Sequence, residues 1–167
     1  MDKEKNNLET AFLDDLDRHQ GILHKISYVY SGNSHEKEDL YQEIILQLWR
    51  SYPSFRGGST FSTWMYRVAL NTAITLTRKP RLFVHTEKIP DSSYDIEHSM
   101  NRSEDVQVMY KAVAHLDKVE KAIILLWLED KSYEEIADTV GISVKNVSVR
   151  LVRIKAKLAG WIKKYQK

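Results

Sequence analysis

Apolar residues along this chain recur at spacings of three and four and nowhere alternate with period two, so the pattern predicts helices throughout and no strand ladder. Helical stretches read as Leu8 to Tyr30, Lys37 to Ser51, Thr60 to Arg78, Glu104 to His115, Val119 to Glu129, Tyr133 to Val140 and Val144 to Tyr165. Breaks fall at Ser31-Gly32-Asn33-Ser34, Tyr52-Pro53, Gly57-Gly58 and Gly141, residue types that end helices or open turns. Pro80 to Asn101 holds two of the three prolines, scattered Asp, Ser and His, and no sustained period. It reads as a linker, with an ordered loop on one domain as the alternative. The expected fold class is therefore all-α. Two small helical domains, residues 1–80 and 103–167, are joined by a flexible linker over residues 81–102.

A chain of 167 residues split this way leaves each domain a thin core. The absence of cysteine excludes a disulfide framework and thiolate metal sites and favours a reducing compartment. No apolar run approaches the ~20 residues of a membrane span, and the first residues do not read as a signal peptide. The expectation is a cytoplasmic protein without membrane insertion.

The net charge of +2 hides a sorting into blocks. Residues 1–55 carry 6 basic and 10 acidic side chains, and residues 83–138 carry 6 and 13. Between and after them, residues 56–82 carry 5 basic and no acidic side chains, and residues 139–167 carry 8 and none. Charge runs are often only solvated faces. Two acid-free blocks on helical patterns instead imply two polyanion contacts on a chain that otherwise repels nucleic acid.

The second block holds the more specific motif. Ser132-Tyr133-Glu134-Glu135 has capping-box spacing, Ala137 allows a following helix to cross closely, and Gly141 permits the left-handed turn that ends a helix. Ser143 then caps a second helix, which makes a helix-turn-helix. Asp117 and Glu120 repeat the capping-box spacing upstream, before the apolar run Ile123 to Leu128. At about 100° per residue, Val144, Val147, Leu151, Ile154 and Leu158 share the core-facing arc of the second helix. Lys145, Asn146, Val149, Val152 and Arg153 lie opposite, flanked by Ser148, Arg150, Lys155 and Lys157. That mix suits a recognition helix: cations meet phosphates or guanine, Asn pairs with adenine, and an exposed valine packs on a thymine methyl. Trp161, Ile162 and Tyr165 read as closing the small core.

In the amino-terminal half, Leu40, Tyr41, Ile44, Ile45, Leu48 and Trp49 cover one broad arc of the third helix pattern. Asp39, Gln42, Glu43, Gln47 and Arg50 form the other, with Leu46 in its middle. An apolar side chain in a polar rim has the form of a protein contact; a stray surface leucine is the alternative. Phe55 to Arg67 interleaves basic and aromatic residues, which suits single-stranded nucleic acid. Aromatics at helical spacing are more often core, and Phe61, Trp64, Met65 and Val68 share one stripe while Tyr66, Leu70 and Ile74 form another. Arg67, Asn71 and Arg78 lie together on a polar flank.

With those residues in place, the chain resembles the extracytoplasmic-function sigma factors of bacterial RNA polymerase. Asp39-Leu40-Tyr41-Gln42-Glu43 with Leu48-Trp49 is similar to the segment that binds the polymerase clamp helices. Phe55-Arg56-Gly57, continuing through Phe61 to Asn71, is similar to the minus-ten recognition and melting helix. Ser132 to Ala137 with Val147 to Arg153 resembles the helix-turn-helix that reads the minus-thirty-five element. The resemblance covers about residues 8–80 and 103–165. It implies that Asp39, Gln42, Glu43 and Leu46 dock on the clamp. Arg56, Arg67 and Asn71 would meet the melted non-template strand of the minus-ten element, with Arg78, Lys79 and Arg81 supplying a basic loop beside a flipped base. Lys145, Asn146, Ser148, Val149, Arg150, Arg153 and Lys157 would meet double-stranded minus-thirty-five DNA. Many members carry Arg-Ser where this chain has Ser148-Val149, and Thr77 to Val84 is short and contains Pro80.

The implied function is that of an alternative, non-enzymatic specificity subunit. It would bind core polymerase, direct promoter recognition and strand opening, need no cofactor, and be held in check by an anti-sigma factor. Two other classes compete. A stand-alone helix-turn-helix repressor or activator accounts for the second basic block and leaves the acid-free aromatic helix unexplained. A helical metalloenzyme would need His and carboxylates brought together, and the six His are scattered.

Overall fold

The computed structural model of the chain describes residues 1–77 and 103–167. Every regular element among them is helical, and the chain divides into two compact units, Met1–Val84 and His85–Lys167. The expected linker at 81–102 lies outside the described residues.

The first unit holds α1 (Asp2–Arg18), α2 (Gln20–Tyr30), α3 (Ser34–Ser51), a short 3-10 turn (Tyr52–Ser54) and α4 (Phe61–Leu76). Leu8 to Tyr30 was expected as one helix and is two. The break is at His19, whose φ of −122° and ψ of 18° leave the helical region. Its Nδ1–H donates to the Asp15 carbonyl at 2.8 Å, and its ring meets Phe61 at 5.2 Å between centroids. A tertiary ring contact thus draws the backbone out of line where no proline is present. The third helix starts three residues earlier than its apolar period suggests, because Asn33 accepts from the Glu36 N–H at 2.9 Å and supplies the N-cap.

Helices α2, α3 and α4 pack on one another. Leu23, Ile26, Ile44, Leu48 and Met65 are fully buried between them. Ala69 and Ala73, also fully buried, let α4 approach its neighbours closely. Two separate stripes were expected on α4. The buried residues Met65, Tyr66, Ala69, Leu70 and Ala73 instead form one continuous arc, and Phe61, Trp64 and Val68 are half-buried at its edge. Small residues at 69 and 73 do not register as apolar stripes by size, yet they mark where backbones come nearest.

The second unit holds α5 (Glu104–Val113), α6 (Lys118–Leu128), α7 (Tyr133–Val140) and α8 (Val144–Tyr165). Both capping boxes form. Asp117 and Glu120 exchange hydrogen bonds at the start of α6, as do Ser132 and Glu135 at the start of α7. Ser143 Oγ accepts from the Asn146 N–H at 3.1 Å and caps α8. Ile123 to Leu126 and Ile136 are buried against Val147, Leu151, Ile154 and Leu158 of α8.

Val144 was expected in that core and is 40% exposed. As the first residue of the helix, its Cβ tilts back toward the turn and away from the packed stripe. Trp161 closes the far end of α8 by stacking on His115, with ring centroids 3.6 Å apart and planes 4° from parallel. Tyr165 is 40% exposed and hydrogen-bonds the same His115 ring.

Between α7 and α8, Gly141 has φ 80° and ψ 38°, so the Ala137 carbonyl accepts from both the Gly141 and Ile142 N–H groups at 2.8 and 3.1 Å. A Cβ at this position would meet nothing within 4 Å, so the left-handed backbone alone penalises a side chain. Gly141→Ala is expected to lower stability by about 1 kcal/mol, read as a lower urea midpoint with unchanged slope. An unchanged midpoint would contradict the role given to this turn.

Candidate nucleic-acid and polymerase interfaces

Three surfaces carry the residues singled out from the sequence, and each is built by one helix. On α3, the buried stripe Leu40, Ile44 and Leu48 fixes the opposite face outward. Asp39 and Gln42 are exposed and Glu43 is half-buried, while Leu46 is 40% exposed in their midst. The rim is internally ordered. Gln47 Nε2 donates to Glu43 Oε1 at 2.9 Å, and His35 Nε2 lies 3.5 Å from Asp39 Oδ2. On the flank of this face Tyr41 stacks on His24 at 4.8 Å between ring centroids, and burial raises the Tyr41 phenol above its ordinary pKa.

On α4, the continuous buried arc leaves only a narrow flank for solvent. Arg67 and Asn71, one turn apart, are both exposed there. Arg56 is exposed beside Gly57, whose φ is 72°. The neighbouring aromatic rings are engaged with one another. Phe55 meets Trp64 at 5.0 Å and Phe61 at 5.8 Å, and Phe61 meets Trp64 at 5.4 Å. Tyr52 touches this group and also Phe12 of α1 at 5.0 Å, and its hydroxyl donates to Asp15 Oδ2 at 3.0 Å. Burial first, and then that carboxylate, raise the Tyr52 pKa. These rings tie α1 to the start of α4. The surface left for a nucleic acid on this helix is the polar flank. Arg78, Lys79 and Arg81 lie outside the described residues.

On α8, Lys145, Asn146, Ser148, Val149, Val152 and Arg153 are all exposed, as the angular reading requires. The cations beside them are not equivalent. Arg150 Nε donates to Asn146 Oδ1 at 3.2 Å. Lys155 Nζ stands 4.1 Å above the Trp127 ring, a cation–π contact.

Lys157, expected on the DNA face, is held elsewhere: its ammonium pairs with Glu120 Oε1 at 2.5 Å. Glu120 is 8% exposed and must also close the α6 capping box, so burial of that carboxylate demands the cation. Lys145 and Arg153 are exposed and have no partner among the described residues. Val152 falls on the outward arc by angle but was not among the expected contacts. At 69% it is the most exposed large apolar side chain after Met1 among the described residues. Its signal in the sequence was a second valine three residues after Val149 on an otherwise polar face. No group of three or more His, Asp or Glu among the described residues is placed to hold a metal ion.

Known proteins account for both units. Residues 16–82 match the Sigma-70 region 2 family and residues 107–158 match Sigma-70, region 4. The chain is 32% identical over 145 residues to the ECF RNA polymerase sigma-E factor of Escherichia coli (strain K12), covering 75% of this chain and 72% of that protein. It is 29% identical over 159 residues to the ECF RNA polymerase sigma factor SigE of Mycolicibacterium smegmatis, covering 89% of this chain and 60% of that longer protein. Among solved structures, the sigma factor RpoE of Bartonella quintana, seen in complex with the anti-sigma factor NepR, shares the fold with a TM-score of 0.69. That match has 22% identity and covers 92% of this chain and 97% of that one. The chain belongs to the ECF RNA polymerase sigma factors, a family of DNA-binding initiation factors. Among the described residues no helix is long and apolar enough to cross a membrane.

The Lys157–Glu120 pair makes a testable distinction between a structural cation and a DNA-facing one. Lys157→Ala leaves a nearly buried carboxylate without its cation and is expected to cost about 1–3 kcal/mol of stability. A variant as stable as the parent in urea denaturation would return Lys157 to the solvent-facing set.

Proposed function

We propose that this chain is a dissociable promoter-specificity subunit in which α3 grips core polymerase and α4 and α8 meet two promoter elements. Residues 1–80 form the polymerase and minus-ten module, residues 103–167 the minus-thirty-five module, and residues 81–102 the tether. Asp39, Gln42, Glu43 and Leu46 dock on the clamp helices. Arg56, Arg67, Asn71, Arg78, Lys79 and Arg81 hold the melted minus-ten non-template strand. Lys145, Asn146, Ser148, Val149, Arg150 and Arg153 address the minus-thirty-five duplex; Lys157 is left out because Glu120 occupies it. The observation that carries this reading is the coexistence, in one chain, of both sigma regions with an outward cationic face on a helix of each.

The mechanism follows from the side chains. The chain forms and breaks no covalent bond. Strand opening draws on binding free energy, and a flipped base costs a few kcal/mol that contacts to the extruded strand offset. Each module alone makes few contacts and binds DNA weakly. Polymerase fixes both at the promoter spacing, so that the second contact becomes intramolecular and the two act as one selective interaction. The work is done in the cytoplasm, where the polymerase is. An anti-sigma factor, the kind of partner seen with the Bartonella protein, regulates the chain by covering the same α3 and α8 faces.

Run-off transcription with bacterial core polymerase on genomic fragments tests the proposal: discrete transcripts should depend on the added chain. A purified chain that binds duplex promoter as well without polymerase as with it would instead be a stand-alone helix-turn-helix regulator. Glu43→Lys, which reverses one charge in the Leu46 rim, should weaken core binding by about tenfold or more with an unchanged helical spectrum; unchanged affinity would remove α3 from the contact. Arg153→Ala should lower holoenzyme affinity for promoter and flatten the log–log salt dependence by about one counterion. An identical slope would take Arg153 off the phosphate backbone.

A further inference from the structure

The outward ridge of α8 is apolar at its centre. Val149 is 43% and Val152 69% exposed, one on each side of the helix line that faces directly away from the buried stripe Val147, Leu151, Ile154 and Leu158. One exposed valine is ordinary on a protein surface. Two on the same ridge, between the exposed cations Lys145 and Arg153, leave apolar surface in the one place where the segment is otherwise built for a polyanion. No acidic residue follows Asp138 in the chain, so the rim around the valines repels basic partners and attracts phosphate.

The hydrogen-bonding alternatives on this face are partly occupied. Reading adenine with Asn requires its carbonyl and amide together, and Asn146 Oδ1 already accepts from Arg150 Nε at 3.2 Å. Lys155 sits over Trp127 and Lys157 on Glu120. What remains at the centre of the ridge is a pair of branched alkyl groups. In a major groove the one alkyl group offered by the bases is the thymine 5-methyl. Val149 and Val152 are separated by about 4.5 Å along the helix axis, close to the base-pair rise of about 3.4 Å, so the two address neighbouring base pairs.

We propose that Val149 and Val152 are specificity-determining residues that read thymine methyl groups on two neighbouring base pairs of the minus-thirty-five element. This rests on the promoter-reading role given above to α8. Lys145 and Arg153 then hold the helix in register on the backbone, and the valines discriminate by losing a methyl-sized apolar contact wherever cytosine or a purine replaces thymine.

The test uses the full chain assembled with core polymerase. Duplexes randomised across the minus-thirty-five element are selected by retention on the holoenzyme, and thymine, on either strand, should be enriched at two neighbouring positions. Replacing those thymines by deoxyuridine removes only the methyl groups. Each replacement should weaken binding about fourfold and both together about fifteenfold, the equivalent of about one buried methylene per contact. Val149→Ala and Val152→Ala keep a good helix former at exposed positions. Each should lower affinity for the thymine duplex and abolish the uracil effect at one position only.

Equal binding of thymine and uracil duplexes by a working holoenzyme overturns the proposal, as does a selection without thymine enrichment. An alanine variant that weakens both duplexes equally also overturns it, and assigns the ridge to a protein contact. A chain that fails to join core polymerase, or that forms no holoenzyme–promoter complex on any duplex, overturns the promoter-reading role itself. Core association and run-off synthesis, measured in parallel, separate that failure from the failure of the valines alone.

Discussion

The carboxy-terminal unit depends on a single stripe. Val147, Leu151, Ile154 and Leu158 are the only residues of α8 that are fully buried, and each contributes about 2 kcal/mol by leaving water. In a unit this small the net stability is only a few kcal/mol, so none of the four is dispensable. The same economy makes the helix useful. One narrow buried stripe leaves most of the circumference to charge and shape. Helix α4 shows the opposite arrangement. Its buried residues span a wide arc from Met65 through Ala69 and Ala73 to Tyr66 and Leu70, and its solvent share is reduced to a flank carrying Arg67 and Asn71. How much of a helix is spent on the core decides how broad a surface it offers to a partner.

Features whose chemistry spans one helical turn were legible in the sequence. Ser132 with Glu135 and Asp117 with Glu120 are capping boxes because donor and acceptor lie three residues apart, and Gly141 adopts the left-handed backbone its place after a helix requires. The outward positions of Lys145, Asn146, Val149, Val152 and Arg153 followed from angular arithmetic alone. Features set by distant partners were not legible. Lys157 and Glu120 are separated by 37 positions, and no periodicity joins them. The His19 break arises where that ring meets Phe61, and Val144 escapes the core because it precedes the first packed turn.

The aromatic segment shows why composition underdetermines a site. Phe55, Phe61 and Trp64 lie among basic residues and have the composition of a base-stacking platform. A ring has two faces and an edge, and the sequence does not say which are occupied. Here they meet one another and Tyr52, and Tyr52 also reaches Phe12 and Asp15. Aromatic pairs in tilted and edge-to-face contact are worth about 0.5–1.5 kcal/mol beyond their buried area, a sizeable gain for holding α1 to the rest of a thin core. The cluster therefore serves nucleic-acid contact indirectly, by holding rigid the helix whose flank presents Arg67 and Asn71.

The same discrimination applies to charge. The last 29 residues carry eight cations and no acid, which suggests a strong phosphate grip. Glu120 neutralises one of these cations from another helix, Lys155 is held over Trp127, and Arg150 is tied to Asn146. A compensated ion pair exerts little pull on a phosphate beyond its immediate neighbourhood, and exposed charges farther away than about 8–10 Å are screened at physiological salt. The effective contact is thus carried by fewer cations than the sequence count, and non-specific affinity falls accordingly, since it scales with the number of phosphates neutralised. For the proposed subunit that weakness is functional. A chain that gripped any duplex tightly would be sequestered by the excess of non-promoter DNA. One that binds weakly by each module becomes selective only when polymerase presents both at once.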